Sequence, residues 1–321
     1  MNVPRKVLIS IALSLALSGH CAAQSWPTRP VRIMVGFAAG ASTDQLARVV
    51  AAKLAESLGQ PVLVENRAGA GGTIAVSEVA KAPPDGHTLV LGEPGGMAVA
   101  PAMMKTLSYD PRKDFTPIGQ VISITFLLVA NPSFPAKKFA DLKGVAGGKA
   151  LPYGSAGTGT VQHLAMEMLK KSSGLPFEHI PYKGGAPALN DLLGGQIPLL
   201  VITAATIVPH VKAGKVHPLV TLNATRSRFF PELPTVRESG YPDYAVDGWQ
   251  GFFAPAGTPR EIVARLNGEI RRIMELPDVV QTLVNAGNEI VTGTPEAFGR
   301  LVRDDIERWS RVVRETGITP N

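Results

Sequence analysis

This sequence predicts an α/β protein of two doubly wound lobes, on three observations. Strand-like and helix-like segments alternate along most of the chain, which argues for largely parallel sheets with right-handed crossovers. The 298 residues that follow a predicted cleavable leader suit two domains rather than one. Three strand-to-helix connections consist of glycine, alanine and hydroxyl residues. In doubly wound folds such loops lie at the carboxyl ends of strands, where ligands gather.

The leader comes first. Arg5 and Lys6 form a basic region, residues 7–17 an apolar run, and Cys21-Ala22-Ala23 a small-residue cleavage site before Gln24. These are the parts of a secretory signal peptide spanning residues 1–23, so the protein is expected to be exported to a periplasm. His20 stands directly before Cys21, where lipid attachment requires a small residue. Cleavage after Ala23 removes the sole cysteine, and with it disulfide or thiol chemistry. Without Arg5 and Lys6 the formal charge falls from +6 to +4. The remaining basic residues are scattered, which argues against nucleic acid as a partner.

The first unit after the leader is the most informative. A buried strand at 31–35 runs into a loop, Gly36 to Ala41, and Leu46, Val49, Val50, Leu54 and Leu58 then mark an apolar helix face. Ser42 with Gln45 reads as a capping box at the helix start. A helix start leaves four amides unpaired and carries partial positive charge, and small loop residues let an oxygen approach closely. The stretch suits an anion or is an ordinary tight connection.

Further elements follow in order: a strand at 62–65, a Gly-rich turn at 68–72, a helix at 74–81 and a strand at 88–91. A loop at 92–96 leads to a short helix near Met103, and the apolar run 121–130 is long for one strand and suited to crossing between lobes. The second set comprises strands at 151–154, 178–181, 197–202 and 216–222 with helices at 160–172, 186–193 and 206–213. Leu164, Met168 and Leu169 are expected to face inward from the first of these helices. A return strand at 249–254 and helices at 260–274, 279–286 and 295–316 complete the chain. The second small-residue loop is residues 153–160 and the third residues 182–187. With the first loop in one lobe and the other two in the second, they would face each other across a cleft that closes by hinge motion.

The blocks VRIMVGFAAGASTDQLAR, GQPVLVENRAGAGGTIA, YGSAGTGT, YKGGAPALNDLLGGQI and GFFAPAGTP, in this order and spacing, resemble the Bug-type family. Its members are the extracytoplasmic solute receptors of tripartite tricarboxylate transporters. The resemblance implies a type II periplasmic-binding-protein fold, with lobe 1 formed by residues 24–128 plus 248–321 and lobe 2 by residues 129–247. Crossings near Val129 and Asp247 would form the hinge. It also implies a monomer that binds a small organic carboxylate (a di- or tricarboxylate, an acidic amino acid or an aromatic acid) and meets membrane permease subunits. The ligand residues it implies are Phe37, Ala38, Ala41, Ser42, Thr43 and Asp44 on one side. Ser155, Gly157, Thr158 and Thr160 lie opposite, with Thr203 nearby. Phe37 would supply an apolar wall. For each hydroxyl, helix capping competes with ligand contact. Asp44 is expected to orient the loop or a water rather than meet a carboxylate.

Departures from the family bear on the ligand. Gly36 and Ala39 stand where proline is usual and Ala41 where a second glycine is, so a more mobile loop and a narrower site are expected. Glu93-Pro94-Gly95 replaces a small, hydroxyl-rich turn, and Glu93 either receives a donor from the ligand or faces solvent. An acidic residue usual in 197–206 is absent, leaving Thr203 and Thr206. Enzyme signatures are missing: Tyr153 occupies the first position of a would-be G-x-S-x-G, and no P-loop or H-E-x-x-H occurs. His87, His163, His179, His210 and His217 are dispersed and are expected at helix ends or the surface. No metal or cofactor is expected. A ligand-presenting sensor and, more remotely, an exported hydrolase are the alternative functions.

Overall fold

The computed structural model describes residues 26–318, so the predicted leader with Cys21 lies outside the described residues. In chain order the first half contains β1 (Val31–Val35), α1 (Ser42–Leu58), β2 (Val62–Asn66), α2 (Thr73–Ala80), β3 (Thr88–Gly92), α3 (Ala100–Met103), β4 (Phe115–Ile124) and β5 (Phe126–Ala130). Next come α4 (Leu142–Ala146), β6 (Leu151–Ser155), α5 (Val161–Ser173), β7 (Phe177–Pro181), α6 (Gly185–Leu193), β8 (Leu199–Thr203), α7 (Ala204–Lys212) and β9 (His217–Thr221). The chain ends with β10 (Gly248–Pro255), α8 (Arg260–Met274), α9 (Pro277–Asn285), β11 (Glu289–Ile290) and α10 (Pro295–Thr316).

These strands form two sheets, ordered β11-β4-β10-β3-β1-β2 and β7-β6-β8-β5-β9. In the first, β1 lies parallel between β2 and β3, and β10 returns antiparallel to β3. In the second, β6 lies parallel to β7 and β8, and β5 is antiparallel to β8. The connections leaving β1 and β3 therefore share one end of their sheet, and those leaving β6, β7 and β8 share one end of theirs. That arrangement is what β-α-β crossovers impose.

The apolar run 121–130 is not one strand. It breaks at Thr125, β4 belonging to the first sheet and β5 to the second. Asn223 satisfies the backbone at the break: its Oδ1 accepts from the Phe126 N–H (2.8 Å) and its Nδ2 donates to the Ile124 carbonyl (2.9 Å). Thr125 Oγ1 and Ser227 Oγ both donate to Glu289 Oε1, tying β11 to the crossing. The return crossing is held at Asp247, whose Oδ1 accepts from the Ala224 N–H (3.1 Å).

One apolar cluster joins the halves. It runs from Met34 and Val90 of the first sheet through Leu128, Tyr153 and Leu199 of the second to Trp309 and Val312 of α10. Lys171 of α5 pairs with Glu315 of α10 at 2.7 Å on its rim. On α5 the inward set is Val161, Leu164, Ala165, Met166 and Leu169, with Met168 only half-buried. His163 is at a helix end as expected, in the first turn of α5, but is buried; His87 is buried just before β3 and His179 half-buried within β7, contrary to the expectation. The irregular pieces were not expected from the sequence: β4 begins at Phe115, β11 is two residues long, and a π-helical turn spans Gly95–Val99.

Candidate ligand-binding site

β1 delivers the chain into the first loop through Gly36, where a side chain would require the neighbouring turn to shift. A Cβ there would lie 2.5 Å from the Cα of Gly72, so the strand end and the Gly-rich turn are in backbone contact. Gly40 turns the chain with φ +84, and Ala41 caps α1 in extended conformation. The expected capping box does not form, because no side chain bonds the first-turn amides. Gln45 Nε2 instead donates to the Gly40 carbonyl (3.1 Å), and the Gly40 N–H donates to Asp44 Oδ2 (2.8 Å). Ala41 N–H bonds Ala38 O and Gln45 N–H bonds Ala41 O, which leaves the amides of Ser42, Thr43 and Asp44 without an acceptor among the described residues.

Asp44 is the organiser of this loop. Besides Gly40 it accepts from Arg48 Nε (2.9 Å) and from Asn66 Nδ2 (2.9 Å), and Asn66 Nδ2 also donates to the Phe37 carbonyl (3.0 Å). The Arg48 bond, aided by Gly40 and Asn66, outweighs desolvation and holds the carboxyl at about 2. Asp44 thus faces the loop's own donors. Asn66, at the end of β2, was not singled out from the sequence, which offers no local sign of its role.

Thr43 is buried, and its hydroxyl points inward, accepting from Gln250 Nε2 (2.8 Å) and donating to Glu93 Oε2 (3.4 Å). Gln250 Nε2 also donates to Glu93 Oε2 (3.1 Å). Glu93 does not simply face solvent: it is half-buried among dense protein, and desolvation pushes its carboxyl up to about 7 against the pull of Gln250 and Thr43. A cavity of about 10 Å³, lined among others by Gly36, Phe37, Gly72 and Glu93, lies beside it. That is roughly the room one water needs.

The second loop leaves β6 at Ser155. Ser155 is completely buried, and its Oγ meets His179 Nε2 at 2.7 Å and accepts from the Gly157 N–H (3.1 Å). Its hydroxyl is therefore taken up by neighbouring protein groups and braces the loop. Thr160 caps α5: its Oγ1 accepts from the His163 N–H (3.3 Å) and donates to the Gly157 carbonyl (2.7 Å). The Val161 and Gln162 amides have no acceptor among the described residues. Thr158 and Ser42 are exposed, their hydroxyls without a partner among the described residues, Ala38 is exposed, and Phe37 and Ala41 are half-buried. Thr203 pairs with Thr206 through their hydroxyls at 3.0 Å.

Gly157 adopts φ +136, and a Cβ there would sit 3.0 Å from the Tyr182 carbonyl. The third loop lies against the second through Tyr182 N–H to Ser155 O (3.2 Å) and Gly184 N–H to Ala156 O (3.1 Å). A Cβ on Gly159 would meet Met103 Cε at 3.4 Å, so the second loop also touches the first lobe where it continues from Glu93.

Beneath the second loop stands an aromatic column that the sequence did not reveal. His163 stacks on His179 at 3.9 Å, His179 on Tyr153 at 5.2 Å, and Phe177 meets Tyr153 edge-on. The Gly159 N–H donates to His163 Nδ1 (3.1 Å). Burial lowers both imidazoles, His179 to about 4 with the neighbouring His163 contributing. The unfolded chain, with His179 near 6.5, binds more protons between these values. Stability is therefore full above that upper value and falls as the pH drops toward the lower one. Discounted for partial exposure, the loss is about 2 kcal/mol. Substituting His179→Phe keeps the stack and is expected to flatten this acid limb in urea unfolding between neutral and acidic pH. An unchanged difference between the two would rule the imidazole out. Among the described residues no three His, Cys, Asp or Glu side chains converge as metal ligands.

Residues 46–318 match the family model described as the tripartite tricarboxylate transporter family receptor. The chain belongs to that family. BugT of Bordetella pertussis is 36% identical over 99% of both chains, and a UPF0065 protein of Pseudomonas sp. strain P51 is 35% identical over 99% of this chain and 96% of its own. Among solved structures, an R. palustris protein with adipate superposes with a TM-score of 0.80 at 37% identity, covering 92% of this chain and all of its own. MatC from Rhodopseudomonas palustris, with bound malate, gives 0.76 at 37% identity, covering 90% and 100%. This tripartite tricarboxylate receptor thus has the two-lobe periplasmic-binding-protein fold expected from its sequence blocks.

Proposed function

We propose that this receptor captures a small organic carboxylate between the amide-bearing starts of α1 and α5 and delivers it to a tripartite tricarboxylate-type membrane transporter. One observation carries the reading. Ser42, Thr43 and Asp44 at one helix start, and Val161 and Gln162 at the other, present amides without acceptors among the described residues, at two dipole-positive ends. Relatives of similar length and fold hold adipate and malate. Phe37 supplies an apolar wall, and Ala38, Ala41 and Gly157 let the ligand approach the backbone. Thr158 and Ser42 offer hydroxyls, Thr203 borders the site, and Ser155, Thr160, Thr43 and Asp44 hold the loops in shape. Ser155 Oγ does meet His179 Nε2 at 2.7 Å, but Ser155 has no exposed surface and its hydroxyl is held by its own loop, so binding without turnover is the reading. The mature protein, residues 24–321 after leader removal, works as a periplasmic monomer. Its two lobes meet at the Thr125 and Asp247 crossings and close by a hinge.

A thermal-shift screen of di- and tricarboxylates, acidic amino acids and aromatic acids tests this. An acid at a hundred times its dissociation constant stabilises the protein by about 2.7 kcal/mol. At least one acid is expected to raise the melting temperature. Shifts with neutral sugars or cations, and none with acids, would reject the anion site.

A further inference from the structure

We propose that Glu93, braced by Gln250 and Thr43, selects acids that carry a hydrogen-bond donor, a hydroxyl or an ammonium, beside the captured carboxylate. This deepens the carboxylate reading and rests on it.

Position comes first. Glu93 follows β3 directly, β3 is the parallel neighbour of β1, and the small cavity beside the site is lined by Phe37 and Glu93 together. The acceptor therefore lies next to the loop that offers free amides.

Orientation is equally defined. Oε2 receives two donors, Gln250 Nε2 at 3.1 Å and Thr43 Oγ1 at 3.4 Å, and Gln250 and Thr43 are themselves buried and bonded to each other at 2.8 Å. A carboxylate held this way is preorganised to receive a donor. Its other oxygen, Oε1, accepts from no described residue, and no lysine, arginine or histidine pairs with Glu93 among them.

Chemistry completes the argument. A carboxylate in dense surroundings without a cation is disfavoured unless it gains a donor or a proton. Burial indeed raises its affinity for protons. Thr43 joins the two functions, its amide unpaired at the start of α1 and its hydroxyl against Glu93. One residue therefore links the anion donors to the acceptor. A donor close to the ligand's carboxylate, as in an α-hydroxy or α-amino acid, would be the one to meet Glu93. A donor-free diacid would instead place like charge or bare methylenes against Glu93.

Titration calorimetry of the mature receptor with matched acids tests the proposal: succinate against malate and aspartate, glutarate against glutamate, and phenylpropanoate against phenyllactate. In the skeleton that binds, the donor-bearing acid is expected to be at least about tenfold tighter. Glu93→Ser is expected to bring the pair to within about threefold, with the donor-free acid bound as well as before or better. Glu93→Gln, which keeps the shape, serves if the serine variant does not fold, and is expected to lose preference for the ammonium first. Equal affinities within every pair, or a ratio unchanged by either substitution, would overturn the role of Glu93 while leaving carboxylate capture intact. Binding of none of these acids, nor of any acid in the thermal-shift screen, would overturn the carboxylate reading itself, and this proposal with it.

Discussion

Gly157→Val is expected to weaken carboxylate binding at least about a hundredfold, equivalent to ~3 kcal/mol, in a protein that still folds. The backbone there has φ +136, a region that L side chains rarely adopt, and a Cβ would lie 3.0 Å from the Tyr182 carbonyl. The added carbons must push the second loop off the third, breaking the Gly184 N–H to Ala156 O contact. They would also disturb the Gly157 N–H that fixes Ser155 Oγ over His179. Every amide of the second loop moves with it. Because the loop caps a sheet whose interior is untouched, the global loss should stay near 1–2 kcal/mol. Calorimetry with an acid that shifts the parent's melting temperature decides the matter. Affinity within threefold of the parent would remove this loop from the site.

Trp249→Ala is expected to lose about 4 kcal/mol of stability, the usual range for emptying a buried indole. Trp249 lies on β10 with no exposed surface, its ring against Phe253 and Phe298. Its Nε1 donates to Asp305 Oδ2 at 3.0 Å, and Asp305 is itself buried, its carboxyl raised by desolvation to about 6. Truncation therefore leaves both a cavity and a buried carboxylate deprived of a donor. Trp249→Phe refills most of the cavity and isolates the second effect. Urea midpoints with unchanged m values measure both. A loss below about 1 kcal/mol for the alanine variant would show that the surroundings collapse into the space.

Most elements of this fold were legible because β-branched runs and helical periodicity are local signals. The bounds of α8 and α10 matched residue for residue, their apolar stripes being long and framed by Pro259 and Pro277 for α8 and by Pro295 and Gly317 for α10. The break at Thr125 was not legible, since the residues on both sides are equally apolar. What ends one strand and begins the next is Asn223, 97 residues away from Phe126. Within the site, the three small-residue loops and the restraining role of Asp44 could be read from spacing and like-charge repulsion. The inward aim of Thr43 and Ser155 could not, because a hydroxyl at a loop gives no sign of which way it turns. His163 and His179 meet only because β6 and β7 pair in a register that sets Tyr153 opposite His179 and α5 folds back above them. No spacing along the chain encodes that.

The apolar cluster shared by both sheets and α10 has a consequence for how the receptor works and comes apart. Two halves that share a large part of their interior are expected to melt together, in a single cooperative step under heat or urea. The same sharing bears on motion: if the two halves open and close, the flank beneath the last helix is expected to serve as the pivot.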